Sequence, residues 1–91
     1  MNKAELIDAA ADRADIAKNS MSEALDALLS TITETVARGD KVTLTGFGTF
    51  ERRRREARTG RNPQTGEEMQ IPAQNSPAFK AGKAFKDAVA R

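Results

Sequence analysis

Cations crowd residues 49–73. Arg52, Arg53, Arg54 and Arg55 are consecutive, Arg58 and Arg61 follow, and the stretch turns at Gly60-Arg61-Asn62-Pro63-Gln64-Thr65-Gly66. A guanidinium is planar, always charged and carries five donors, so a row of them suits phosphates or other dense anions. Two glycines around an Asn-Pro pair are turn chemistry, since Gly reaches positive φ and Pro presets φ near about −65°. Residues 50–58 and 67–73 then read as the two strands of a hairpin, with almost nothing apolar on either face beyond Phe50. Thr49 to Gly60 is 11 steps. At about 3.4 Å per step the ribbon reaches roughly 35 Å. A chain of 91 residues leaves no body large enough to cover it. The ribbon is therefore expected to project, with something acidic along it. Taken alone, the basic run also fits a solvated face or a targeting look-alike, and Pro63 fits an ordinary turn proline.

Catalysis is not expected. His and Cys are both absent, which removes the common general base, the thiol nucleophile, thiolate metal sites and disulfides. Gly60 to Gly66 has the wrong spacing for a phosphate-binding loop, and Glu67 follows where Lys-Ser/Thr is needed. Gly46-Phe47-Gly48 lacks the third glycine of a dinucleotide fingerprint. The carboxylates of the first half read as a solubilising face, so neither a cofactor nor a metal is expected. Charge is segregated: residues 1–40 sum to −4 and residues 41–86 to +6, within a total of +2. Such a division suits a scaffold half and a half that meets polyanions. The lack of Cys fits a reducing cytoplasm, and no apolar run is long enough to make a membrane a partner.

The elements that must hold the ribbon are readable. Asn2 with Glu5 resembles a capping box, so a helix starts near Lys3, with Leu6, Ile7, Ala10 and Ala14 on one face. Residues 14–17 connect it to a second helix, whose stripe is Met21, Leu25, Leu28, Ile32 and Val36, broadened by Ala24 and Leu29. Arg38-Gly39 ends that helix. Its start is open between Ala17, which has no capping side chain, and the Ser20/Glu23 box. Residues 41–45 alternate as a strand, Gly46-Phe47-Gly48 reverses the chain, and Met69 and Ile71 mark the returning strand. Pro72 suits an edge or the base of the arm, not a central strand. Residues 76–79 lead back to the core, and residues 83–90 form a short helix with Phe85 and Val89 inward. Leu, Ile, Val and Phe total only 16. A body this small and this poor in large apolar groups calls for oligomerisation, and the surplus stripe on the second helix is a plausible dimer face.

With Gly46-Phe47-Gly48-Thr49-Phe50, Arg58-Thr59-Gly60-Arg61-Asn62-Pro63-Gln64-Thr65-Gly66 and Pro77-Ala78-Phe79-Lys80-Ala81-Gly82-Lys83 in view, the chain closely resembles the bacterial histone-like family of HU and integration host factor, from Met1 onward without obvious gaps. The resemblance implies an α+β fold and an intertwined dimer. Each subunit would have two N-terminal helices, a three-stranded antiparallel sheet with a long protruding β-hairpin arm, and a short C-terminal helix. Within a single domain, 1–91, it places a helical dimerisation part at 1–40, the sheet and arm at 41–82 and the last helix at 83–91. Its dimer core would draw on Leu25, Leu28, Leu29, Ile32, Val36, Leu44, Phe47, Phe50 and Phe79. The arms of this family, itself a standing example of minor-groove architecture, enter the minor groove, and the tip proline wedges between base pairs. On that basis Arg53, Arg55, Arg58 and Arg61 would line the groove and Pro63 would intercalate. Asn62 and Gln64 would offer amides to the groove floor. Lys80, Lys83 and Lys86, with Lys3, would engage phosphates, helped by the amides of the third helix's N-terminus.

Two departures stand out: Ala17 sits where relatives often carry a capping Ser or Thr, and the four-arginine run is unusually dense. Alternation puts two of those four on each face, so one pair would meet DNA. Lys3 could instead pair with Asp26, and the four phenylalanines could be stacking platforms rather than core. The expected function is a homodimeric, largely sequence-nonspecific DNA-bending protein that compacts the bacterial nucleoid in the cytoplasm, and not an enzyme. Two alternatives stay open. One is a site-specific bending factor paired with a paralogue; the other is an RNA-binding protein using the same arms, which the wide, shallow A-form minor groove disfavours.

Overall fold

The computed structural model describes residues 1–91. They form two compact units, Met1–Glu34 and Thr35–Arg91.

In the first unit, α1 spans Lys3–Ala14 and starts as its cap dictates, with Asn2 Oδ1 accepting from the Glu5 amide at 2.9 Å. Asp15 closes it in the left-handed region at φ 56°, and the Ile16 amide returns to the Ala11 carbonyl at 3.1 Å. Helix α2, Lys18–Ala37, begins at the earlier of the two starts left open by the sequence. The Ala17 carbonyl accepts from the Met21 amide at 3.0 Å, so the Ser20/Glu23 pair lies inside the helix. Backbone bonding thus extends three residues beyond the box, where Lys18 also stands 3.5 Å from Asp8. Ile7, Ala10, Met21, Leu25 and Ile32 are half-buried, but the one buried side chain here is Ala11, which the helical face drawn from the sequence passed over. Leu6 is exposed, as are Leu28 and Leu29 at 60% and 47%.

The second unit begins within the last turn of α2. Gly39 takes φ 96°, and the amides of Gly39 and Asp40 bond back to the carbonyls of Val36 and Thr35, the glycine-closed stop the sequence predicts. Strand β1, Val42–Leu44, turns through Gly46 at φ 84° into β2, Gly48–Arg55. Strands β3, Arg58–Arg61, and β4, Glu68–Ile71, precede β5, Gln74–Ala81, and α3, Lys83–Val89. The main sheet is antiparallel in the order β1-β2-β5, and β3 and β4 pair only with each other. Residues 76–79 are therefore not a mere lead-in to the core but the middle of β5. Pro77 is tolerated there because β5 is an edge strand, whose outward amides have no ladder partner.

Phenylalanine fills the sheet's packed side. The Phe47 and Phe85 rings stack at 4.7 Å, Phe50 and Phe79 meet tilted at 4.8 Å, and Phe47 and Phe79 lie 5.5 Å apart. The four rings gather into one cluster, in which Phe47 and Phe79 remain 46% and 40% exposed. Gly48 permits it, since a Cβ there would stand 2.4 Å from the Phe79 ring. Val89, expected inward, is instead 71% exposed at the last residue of the seven-residue α3.

Candidate nucleic-acid interface

The arm is one ribbon with a single interruption. Strands β2 and β5 pair from Gly48↔Ala81 to Arg55↔Gln74, and β3 and β4 resume in the same register from Arg58↔Ile71 to Arg61↔Glu68. The ladder lapses only at Glu56-Ala57 facing Pro72-Ala73. Pro72 has no N–H to give, which is why the arm breaks there. Arg55, Arg58, Ile71 and Pro72 line an open groove at the break. From Phe50, the last residue of β2 with a β1 partner, to Asn62 is 12 steps, or roughly 40 Å of two-stranded ribbon at about 3.4 Å each.

Register fixes what each face carries, because paired residues project to the same side. One face bears Thr49/Lys80, Glu51/Ala78, Arg53/Ser76, Arg55/Gln74, Thr59/Gln70 and Arg61/Glu68. The other bears Phe50/Phe79, Arg52/Pro77, Arg54/Asn75, Arg58/Ile71 and Gly60/Met69. The arginine run thus divides two and two, as alternation predicts, and the divided pairs have different occupations. Arg52 Nη1 donates to the Ala37 carbonyl at the end of α2 at 3.2 Å, and Arg54 pairs with Glu56 at 3.3 Å. Arg53 and Arg55 are exposed and have no ion-pair or hydrogen-bond partner, so they are the free pair. Arg58 is likewise free but projects from the opposite face to Arg53, Arg55 and Arg61. The four arginines grouped from the sequence do not form one row.

On the apolar side of the outer arm, Ile71 lies over Gly60, where a Cβ would come within 2.8 Å of its Cδ1. Met69 flanks it. At the tip, Pro63 and Gln64 are exposed and Asn62 is half-buried. Asn62 Oδ1 accepts from the Gln64 amide at 2.9 Å, and its NH₂ group has no partner within the chain. Arg61 donates to the Gly66 carbonyl at 3.0 Å and stands 3.9 Å from Glu68.

The lysines divide too. Lys86 has no ion-pair partner, whereas Lys83 pairs with Asp87 one turn on at 2.8 Å. In the first unit Lys3 pairs with Asp26 at 2.7 Å, the internal partner the sequence left open. Of the α3 N-terminal amides, that of Phe85 is taken by the Gly46 carbonyl at 3.1 Å.

Sequence reasoning missed Glu51. It is 9% exposed and receives Lys80 at 3.1 Å and Lys41 at 3.5 Å. The hydrogen bond from Lys80 leads in holding its carboxyl below the ordinary value of 4.5; burial opposes this, and the charges of Lys80 and Lys41 reinforce it. The signal was present in the alternation. Glu51 shares a face with Thr49, whose partner is Lys80, and Lys41 lies one step before Val42, the partner of Phe50. Nowhere do His, Cys, Asp or Glu side chains gather so as to hold a metal ion, and no helix is long and apolar enough to cross a membrane.

Comparison with known proteins agrees with this geometry. DNA-binding protein HU of Geobacillus stearothermophilus is 60% identical over 89 residues, covering 98% of this chain and 99% of its own. The Staphylococcus aureus protein of the same name is 57% identical over the same length, with the same coverage. Among solved structures, the Anabaena HU–DNA cocrystal superposes with a TM-score of 0.95 at 57% identity, over 99% of this chain and 98% of that one. The profile of the family described as Bacterial DNA-binding protein matches residues 1–90, and the chain, with its basic two-stranded arm on a phenylalanine-cored sheet, belongs to that family.

Proposed function

We propose that the protein is a homodimeric, largely sequence-nonspecific DNA-bending protein of the bacterial nucleoid, working in the cytoplasm and without enzymatic activity. The observation that carries the reading is the arm itself: two unpaired guanidiniums, Arg53 and Arg55, on one face of a ribbon that ends in an exposed proline. Arg53 and Arg55 meet the negative potential of a narrowed minor groove, and Arg58 reaches the phosphates along its other wall. Pro63, rigid and apolar, fills the gap where one base step unstacks. Gln64 and the Asn62 NH₂ donate to the degenerate acceptors of the groove floor, which supports binding with little sequence preference. Lys86 extends the contact to phosphates beside the body. Lys80, Lys83 and Lys3 join once they exchange Glu51, Asp87 and Asp26 for phosphate. The relatives named HU and the cocrystal of one of them with DNA support the same reading.

A doubly labelled duplex tests the wedge by fluorescence transfer. Pro63→Ala is expected to reduce the bend, and the preference for nicked over intact duplex, more than it reduces affinity. An unchanged bend removes Pro63 from the mechanism. Gel-shift titration across several salt concentrations reads the phosphate contacts, with a log–log slope of about −0.9 per phosphate neutralised. A preference above roughly a thousandfold for one site over random duplex points instead to a site-specific factor. Equal affinity for duplex RNA points to an RNA-binding role.

A further inference from the structure

Of the six arginines between residues 52 and 61, Arg52 alone is directed to the body. Its Nη1 donates to the Ala37 carbonyl at 3.2 Å, and both residues belong to the second unit. Its guanidinium lies against Gly39, where a Cβ would stand 3.0 Å from Nη2, 3.3 Å from Cζ and 3.8 Å from Nε. Arg52 sits where the arm leaves the sheet. Phe50 is the last β2 residue paired with β1, so from Glu51 outward β2 has only β5 beside it. Farther out, the side-chain bonds of the ribbon stay within the arm, as those from Arg54 to Glu56, Arg61 to Gly66 and Gln70 to Thr59 do.

We propose that Arg52 is a positioning residue, a strut from the root of the arm to the C-terminal end of α2 that sets the pitch at which the ribbon leaves the sheet. This inference rests on the bending role given above and adds what aims the arm along the duplex. A two-stranded ribbon has neither a third strand nor a second layer to hold its faces, so its inclination depends on what touches a face near the root. Arg52 projects from the face of Phe50 and Phe79, and there it meets the negative end of α2. Arginine suits the task because its planar fork donates at one nitrogen while its other edge rests on the glycine. From Arg52 to Pro63 is 11 steps, a lever of roughly 37 Å at about 3.4 Å each. A change of about 10° at the root moves the end of that lever by about 6 Å, nearly two base steps of about 3.4 Å. The outer ribbon carries no tie to the body, so the body directs it only through the root.

The test uses the full-length protein on duplexes that carry two nicks at stepped separations. A nick lowers the unstacking cost of a kink, so a dimer with two arms is expected to bind best at one separation. Arg52→Met keeps an unbranched side chain but removes the donor and the charge. It is expected to shift that optimum by about one to two base pairs, or to spread it over neighbouring separations, while keeping the wild-type salt slope. Arg54→Met removes a charge from the same face, two residues on, without touching α2, and should keep the wild-type optimum. A second measurement needs neither DNA nor a variant. In nuclear magnetic resonance spectra of the free protein, the Arg52 guanidinium protons should exchange with water more slowly than those of the unpartnered Arg53. Equally fast exchange overturns the strut, and so does an optimum that Arg52→Met leaves unchanged or that Arg54→Met alters as much. The absence of any preferred separation in the wild type overturns bending by paired arms, and the aiming role with it. An optimum present in the wild type and retained by Arg52→Met overturns the aiming role alone.

Discussion

Glu51 is the one charged side chain that the fold buries, and its position explains how it is tolerated. Lys80 on β5 and Lys41, one residue before β1, reach its carboxylate, so burial is compensated by a hydrogen bond and two opposite charges. Because the folded pKa lies below the ordinary 4.5, the native state binds the Glu51 proton less readily than the unfolded chain does. The stabilisation is fully present above about pH 4.5 and is lost as pH falls through the folded value. Denaturant unfolding from pH 7 down to pH 3 is expected to show stability declining across the acid limb, and Glu51→Gln should flatten that decline while leaving the curve above pH 6 nearly parallel to wild type. An acid limb identical in the two proteins would mean that the lysines do not hold the carboxylate in solution.

At the scale of elements, the arginine run shows how a strand distributes one residue type among different tasks. Arg52 is turned to the Ala37 carbonyl, the last of α2, at the negative end of the helix dipole. Arg53 and Arg55 face away from it, unpartnered. Arg52→Ala should therefore cost about 0.5–1 kcal/mol of stability, read as a lowered denaturant midpoint, and leave the salt dependence of DNA binding near wild type. Arg53→Ala or Arg55→Ala should do the reverse, reducing the slope by about one unit each with little change in midpoint. Equal slope losses at all three positions would contradict the assignment of faces. Much of this arrangement was legible beforehand. Alternation divides the four arginines two and two, Asn2 and Gly39 bound the helices, and Pro72 is excluded from a central strand. The sequence did not disclose the occupation of each face, because that depends on the distant Ala37 carbonyl and on β5. Residues 74–81 alternate too weakly in hydrophobicity to announce an eight-residue strand, and its register is set by pairing with β2. Arg58, an odd number of residues from Arg53 and Arg55, falls on the other face by alternation alone, because β3 and β4 continue the same register. Asn62 reads as a free amide until the loop closes on it.

Taken as a whole molecule, the single chain is short of interior. Ala11 and Val36 are its only buried hydrophobic residues, and no large side chain is fully covered. Leu28, Leu44, Phe47 and Phe79, each expected in a dimer core, are between 40% and 60% exposed, and Leu29 is among them. Burying a fully exposed Leu or Phe side chain is worth about 1.5–3 kcal/mol, so covering the remaining half of each of these would stabilise the fold further. A second copy is the covering surface that the family resemblance implies, and two-fold pairing would give every dimer two arms and two wedges. If folding and pairing are one event, the thermal midpoint must depend on concentration by mass action. Circular dichroism melts over a hundredfold dilution are therefore expected to show a falling midpoint, with sedimentation giving twice the 9.9 kDa chain mass at the upper end. Leu28→Asp should lower the midpoint steeply at every concentration by placing a charge in the paired surface. A midpoint independent of dilution, with the mass of one chain throughout, would leave each molecule a single arm. Bending by opposed wedges would then have no geometry to act through.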